Sequence, residues 1–112
     1  MARFMVLYKS KVSATDTMAN SDPDQMKEVM DAWMAWAGKC GPALVDLGAP
    51  VGPGKRVTAE GVSDADAKLV GYSVLEAGSL DEATALIDGH PHLAAPGDPA
   101  VVVMECLPIP GM

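Results

Sequence analysis

Three segments of this chain have the length of β-strands and carry apolar side chains on both faces. They are residues 3–9, 69–77 and 100–107. In the first segment, Phe4 and Val6 alternate with Met5. Because successive side chains of a strand point to opposite faces, a sheet built from such strands must be covered on both sides. This requirement restricts the folds that the chain can adopt.

The longer of two predicted helices begins near residue 22. Ser21 or Asp22 suits the N-cap, and Pro23 suits the first turn. Apolar residues then recur at spacings of three and four, which predicts one buried stripe. Its members are Met26, Val29, Met30, Trp33, Ala37 and Cys40. Met34 and Trp36 fall off this stripe, so we expect them outside the buried face.

The second helix is predicted from a capping box at residues 79–82, with Gly89 as its C-terminal stop. Residues 43–51 have the pattern of a short strand and residues 56–62 that of a weaker strand, with a turn at residues 52–54 between them. The polar segments 10–21 and 63–68 are expected to be loops. The tail at residues 108–112 is too rich in proline to extend a central strand.

The predicted order is strand, helix, strand, strand, helix, strand, over a single domain of residues 1–112. This is the ferredoxin-like, split-βαβ pattern of the α+β class, an antiparallel sheet with both helices on one face. The other face would then be apolar and uncovered, which is rare in water. We expect a homodimer through this open face. The alternative is a monomer whose loops cover the face.

Composition excludes several classes of partner. The net charge is −7, so we expect no binding to nucleic acid or to anionic membrane surfaces. No run of apolar residues approaches the length that spans a bilayer, and the N-terminus lacks the features of a signal peptide. Cys40 and Cys106 lie in apolar segments and are interpreted as small core residues. Together these features favour a cytoplasmic protein.

The chain resembles the YCII-related proteins, which include YciI-like and DGPF-containing groups. The resemblance extends over nearly the whole length and depends on four segments. They are residues 4–8, 71–77, 79–83 and 89–95. It implies a dimeric α+β barrel, in which two ferredoxin-like protomers pack sheet against sheet. It also implies a cleft between sheet and helices that resembles an active site.

The chain departs from this family at the residues that would carry chemistry. YciI-like proteins have a histidine on the first helix and an aspartate near its end, but this helix has no histidine, and Lys39 or Cys40 stands at the aspartate position. After the second helix, the family's Asp-Pro-aromatic segment is replaced by His90, Pro91 and His92. The family's proposed dyad therefore cannot be transferred, and the Asp-Gly-Pro-Phe signature is absent.

His90 and His92 are the only histidines of the chain, and they are the predicted catalytic residues. In an extended segment they would point to the same side, and histidine is well suited to acid–base chemistry. Asp88 could orient one imidazole, and Glu76 or Glu105 could pair with one across the cleft. The alternative is structural: a histidine after a helix can bond to the last free carbonyl groups.

A ligand pocket is predicted from Trp33, Met30, Tyr72 and Glu76, with packing in the core or at an interface as the alternative. Methionine and aromatic side chains suit a variable apolar ligand. No metal or other cofactor is expected, because two histidines are too few for a zinc site. Two functions remain open. One is a small enzyme that acts on an organic molecule by histidine-mediated proton transfer, and the other is a non-catalytic module that binds a ligand or partner.

Overall fold

The computed structural model describes residues 1–65 and 68–111. In chain order the elements are β1 (Ala2–Lys9), α1 (Ala14–Ala19), α2 (Pro23–Cys40), β2 (Leu44–Pro50), β3 (Lys55–Thr58), β4 (Gly61–Asp64), β5 (Leu69–Ala77), α3 (Leu80–Ala85) and β6 (Ala100–Glu105). Short 3-10 turns occupy Gly41–Ala43 and Pro91–Ala94. Within the described ranges, no helix is both long enough and apolar enough to cross a membrane.

Four strands form one antiparallel sheet in the order β2-β5-β1-β6. The two crossovers contain α2 and α3, which lie on the same face. This arrangement confirms the predicted fold class, α+β with a ferredoxin-like sheet. The register places Phe4 between Leu75 on β5 and Glu105 on β6, so β1 is one of the two inner strands on which the core is built.

The core lies between this sheet and the helices. Its buried apolar residues are Phe4, Val6, Tyr8, Trp36, Cys40, Leu75, Ala77, Ala83 and Ile87. The indole N–H of Trp36 donates to the carbonyl of Leu86 at 2.8 Å, which ties α2 to the end of α3. The prediction that Trp36 lies off the buried face was therefore wrong. The buried face of α2 is formed by its C-terminal half, and Met26 and Met30 in the N-terminal half are exposed.

Other predictions from the pattern were also wrong in detail. The segment predicted as a loop at residues 10–21 contains α1, whose N-cap Ser13 accepts a hydrogen bond from the backbone of Asp16. The strand predicted at residues 56–62 is the hairpin of β3 and β4, which pair only with each other. Cys106 is exposed rather than buried. Residues 66 and 67 of the predicted connection at 63–68 lie outside the described residues, and so does residue 112 of the tail.

Candidate functional site

A cavity of about 280 Å³ lies on the helix side of the sheet, between α1, the N-terminal half of α2 and the end of β2. Its walls are mostly apolar. The lining residues are Tyr8, Thr17, Met18, Ser21, Met26, Val29, Met30, Trp33, Leu47, Gly48, Ala49, Pro50, Val70, Gly71, Tyr72 and His92. Among the described residues, no charged side chain lines this cavity.

The irregular path of β2 shapes one wall. The pairing of β2 with β5 shifts register between Asp46 and Ala49, and Gly48 has a positive φ of 78°. A Cβ atom at Gly48 would overlap the carbonyl group of Tyr72, so only glycine permits this close approach. The carboxylate of Asp46 accepts the Gly48 N–H at 2.8 Å. These contacts fix the end of β2 in the wall of the cavity.

His90 begins a new turn instead of ending α3. Its backbone N–H donates to the carbonyl of Ile87 at 2.9 Å, and its ring Nδ1 accepts the backbone N–H of His92 at 2.9 Å. His90 is thus the N-cap of the turn Pro91–Ala94. The predicted structural role was a cap on the carbonyl groups of α3, whereas the ring caps the start of the following turn.

The hydrogen bonds of His90 assign every proton in a buried chain of polar groups. Because Nδ1 accepts, the neutral ring carries its proton on Nε2, which donates to the Tyr8 hydroxyl at 3.1 Å. The Ser73 hydroxyl donates to the carbonyl of Leu47 at 2.6 Å. Since a hydroxyl has one proton, Tyr8 must donate to Ser73, at 2.7 Å. All donors point toward the Leu47 carbonyl, so the chain ends there and cannot pass a proton onward.

Burial keeps this network neutral. The pKa of His90 is lowered to about 4, first by desolvation and then by the neighbouring His92. The pKa of Tyr8 is raised to about 12 by burial, against the opposing effect of its bond to Ser73. Both groups are therefore uncharged at neutral pH. His90 is only 2% exposed. Its ring therefore has a structural role and is not available as a base.

His92 differs from His90 because one of its nitrogens is free. Its Nε2 lies 2.8 Å from the carbonyl oxygen of Lys9 and must donate there, since a carbonyl only accepts. In the neutral ring, Nδ1 is then an acceptor without a hydrogen-bond partner in the described residues. The same residues contain no buried side-chain nitrogen or oxygen that lacks a partner, so Nδ1 is not completely buried. His92, a residue of the cavity lining, combines an anchored ring with an acceptor that has no partner in the described residues.

The predicted carboxylates lie elsewhere. Asp88 is exposed. Its backbone carbonyl accepts a hydrogen bond from Lys39 Nζ at 3.0 Å. Glu76 pairs in register with Arg3 on the opposite face of the sheet, and Glu105 is exposed on β6. Within the described part of the chain, no carboxylate is hydrogen-bonded to either imidazole. The partners are instead Tyr8 and backbone carbonyl and N–H groups, because the turn carries both rings into the core.

Of the predicted pocket residues, Trp33, Met30 and Tyr72 line the cavity, and Glu76 does not. Sequence reasoning missed the contribution of Tyr8 and that of Ser73. One feature pointed to Ser73: a hydroxyl in an otherwise apolar buried strand requires a partner. The described residues contain no group of three His, Cys, Asp or Glu side chains arranged to hold a metal ion.

No protein-family model matches the chain, and no curated protein matches it. Among solved structures, it is similar to 5-chloro-2-hydroxyhydroquinone dehydrochlorinase (TftG) from Burkholderia phenoliruptrix AC1100, in complex with 2,5-dihydroxybenzoquinone. The two are 18% identical over 90% of this chain and 89% of that chain, with a TM-score of 0.47. A likeness at this level supports no conclusion about activity.

Proposed function

We propose that this chain is a small enzyme that binds a small, largely apolar organic molecule in the cavity and exchanges a proton with it through Nδ1 of His92. The observation that carries the proposal is the state of that ring. Nε2 is anchored on Lys9, while Nδ1 is free and the residue lines the cavity. An anchored imidazole with one free nitrogen suits a general base. His90 takes a positioning role, because it holds the backbone of His92.

The surroundings of His92 fit proton uptake from a bound molecule. After Nδ1 accepts a proton, the Nε2–H bond to the Lys9 carbonyl becomes charge-assisted and therefore stronger. The Lys9 carbonyl orients the imidazole, which is the role that was expected of a carboxylate. The mostly apolar walls lower the polarity around the bound molecule, which strengthens electrostatic interactions inside the cavity.

The experiment that tests this function measures proton exchange. Neutral carbon acids that stabilise the wild-type protein in a thermal-shift screen would be incubated with it in D₂O. We expect deuterium to enter the bound molecule. His92→Gln should abolish the exchange but retain binding, because a glutamine amide can still donate to Lys9 and lacks an acceptor at the Nδ1 position.

The alternative function, a non-catalytic binding module, predicts a different result. Ligands would then bind to the wild type and to His92→Gln without deuterium exchange in either protein. Met30→Trp, which fills the cavity, is the control for the location of binding and should abolish binding under both functions. If Met30→Trp leaves binding unchanged while the protein remains folded, the cavity is not the binding site.

We also propose that two copies of the chain pair through the open face of the sheet, as the resemblance to YCII-related proteins implies. This face is largely apolar, and Met5, Val102 and Met104 on it are 39%, 37% and 55% exposed. The molecule is a slab of 47 × 44 × 20 Å. Its surface of 7570 Å² compares with roughly 5,800 Å² for a compact monomer of this mass.

The excess surface is large enough for a stable interface. It exceeds the area of about 800 Å² that each partner buries in a typical protein complex. Sedimentation at micromolar concentration tests the proposal, with a dimer mass expected for the wild type. Val102→Lys should shift the species toward the monomer mass. Val57→Lys on the exposed β3–β4 hairpin is the control and should not. A monomer mass for the wild type would contradict the pairing.

For the location of the protein, we propose the cytoplasm. Cys40 and Cys106 are both free thiols, and Cys106 is exposed. An exposed free thiol is better suited to a reducing compartment than to an oxidising one. Thiol labelling of protein purified from its native cell, without added reductant, tests this: we expect Cys106 to react fully. A blocked Cys106 would argue against the location.

A further inference from the structure

We propose that the ligand of the cavity is a neutral molecule of one or two rings with one hydroxyl group, and that this hydroxyl donates to Nδ1 of His92. This inference rests on the proposed function and adds the chemical class of the molecule. It follows from three properties of the cavity, namely its charge, its size and its hydrogen-bonding groups.

The first property is the lack of charge in the lining. In the described part of the chain, the cavity is lined by no Asp, Glu, Lys or Arg side chain. Lys11, Lys55 and Lys68 line a different and larger hollow, at the end of β2. The transfer of an ion from water into apolar surroundings, without a partner of opposite charge, is strongly unfavourable in free energy. The lining therefore selects an uncharged ligand.

The second property is the size and softness of the walls. The cavity volume is about 280 Å³, whereas an apolar cavity of roughly 150 Å³ accepts one benzene ring. One ring with substituents, or two fused rings, therefore fits. Met26 and Met30 can adjust their shape to such a molecule, and the ring of Trp33 offers an aromatic surface.

The third property is the set of free hydrogen-bonding groups on the lining side chains. The hydroxyl of Tyr8 already accepts from His90 and donates to Ser73. The hydroxyl of Ser21 donates to the carbonyl of Thr17 at 2.7 Å. On His92, Nε2 is bonded to Lys9, so in the neutral ring Nδ1 is left without a partner in the described residues and can only accept. A ligand without a donor would cover Nδ1 and leave it without a partner, which is unfavourable. A hydroxyl on the ligand satisfies it.

Three probes of nearly equal shape test this assignment. They are 1-naphthol, 1-methoxynaphthalene and 1-naphthoate, each titrated into the wild-type protein by calorimetry at neutral pH. We expect naphthol to bind about three- to tenfold more tightly than the ether, which is the usual net contribution of one hydrogen bond. We expect the carboxylate to bind more weakly than both.

A matched set of variants locates the hydroxyl. His92→Gln keeps a donor for Lys9 but has no acceptor at the position of Nδ1, so the preference for naphthol over the ether should disappear. His92→Asn places an amide oxygen near the position of Nδ1 and should restore part of the preference. Thr17→Val removes a different free hydroxyl of the lining and should leave the preference unchanged.

The outcomes separate this inference from the proposed function. Equal binding of naphthol and the ether by the wild type, or a preference that Thr17→Val removes and His92→Gln does not, would overturn the role of the hydroxyl and leave the cavity as a binding site. Tighter binding of naphthoate would overturn the neutral ligand. Failure of all three probes to bind would contradict both the inference and the proposed cavity.

Discussion

The backbone N–H of His92 donates to Nδ1 of His90 at 2.9 Å, so that one histidine fixes the position of the other. The two rings also carry different hydrogen bonds. His90 has partners on both nitrogens, whereas His92 has one nitrogen free. This relationship separates a structural histidine from the one that we propose as a base, and it makes the network of His90 a direct target for mutation.

Replacement of His90 should reveal both of its hydrogen bonds. His90→Ala removes the cap, the bond to Tyr8 and the volume of a buried ring, so we expect the free energy of unfolding to fall by about 3 kcal/mol. His90→Asn retains a good N-cap and should restore about 1 kcal/mol of this loss. Urea unfolding monitored by tryptophan fluorescence measures both values. Equal losses in the two variants would show that the cap contributes nothing.

The pH dependence of stability should also report on His90. Its pKa of about 4 in the folded protein lies below the ordinary value of 6.5, so between these pH values the unfolded chain binds a proton that the folded protein does not. The contribution of His90 to the free energy of unfolding is therefore fully present above pH 6.5. It is lost as the pH falls toward 4, by an amount on the order of 3 kcal/mol.

The comparison of wild type with His90→Asn isolates this effect from the carboxylates, which titrate in both proteins. We expect the free energy of unfolding of the wild type to decrease more steeply between pH 6.5 and pH 4. The two curves should run parallel above pH 7. Parallel curves over the whole range would mean that the pKa of His90 is the same in the folded and the unfolded protein.

How much of this molecule could be predicted from its sequence depended on the range of each interaction. The strands β1, β5 and β6 and the helix α2 follow from local patterns of apolar residues, and those patterns also indicated the fold class. Short polar elements such as α1 and the β3–β4 hairpin have weak local patterns, so α1 was predicted as a loop and the hairpin as a single strand. The phase of the buried stripe on α2 was set by packing on the sheet, which the pattern alone did not reveal for Trp36.

The site was harder to predict because its contacts are distant in sequence. Tyr8 bonds to Ser73 across 65 positions and to His90 across 82 positions. Both histidines were identified as candidates, but their partners were expected to be nearby carboxylates such as Asp88. A buried hydroxyl pair replaced the carboxylate, and no local feature of the sequence distinguishes these two possibilities.

Removal of the Tyr8 hydroxyl should destabilise the protein more than its size suggests. Tyr8→Phe leaves the Nε2–H of His90 without an acceptor, and we expect a loss of about 1 to 3 kcal/mol in the free energy of unfolding. Ser73→Ala removes the next link, so the double variant should lose less than the two single losses together. A double-mutant cycle by urea unfolding measures this coupling. Strict additivity would contradict a continuous hydrogen-bond chain.

The shape of the cavity should depend on Gly48. Gly48→Ala introduces a Cβ atom that meets the carbonyl group of Tyr72 at a φ of 78°, so we expect a loss of at least about 2 kcal/mol in the free energy of unfolding. Displacement of β2 should also weaken the binding of 1-naphthol. Gly38→Ala is the matched control, because Gly38 lies in α2 with open space around its Cβ position. It should stabilise the protein by about 0.5 to 1 kcal/mol and leave ligand binding unchanged. If both variants were equally stable, the close approach of β2 to β5 at Gly48 would not be what shapes this wall.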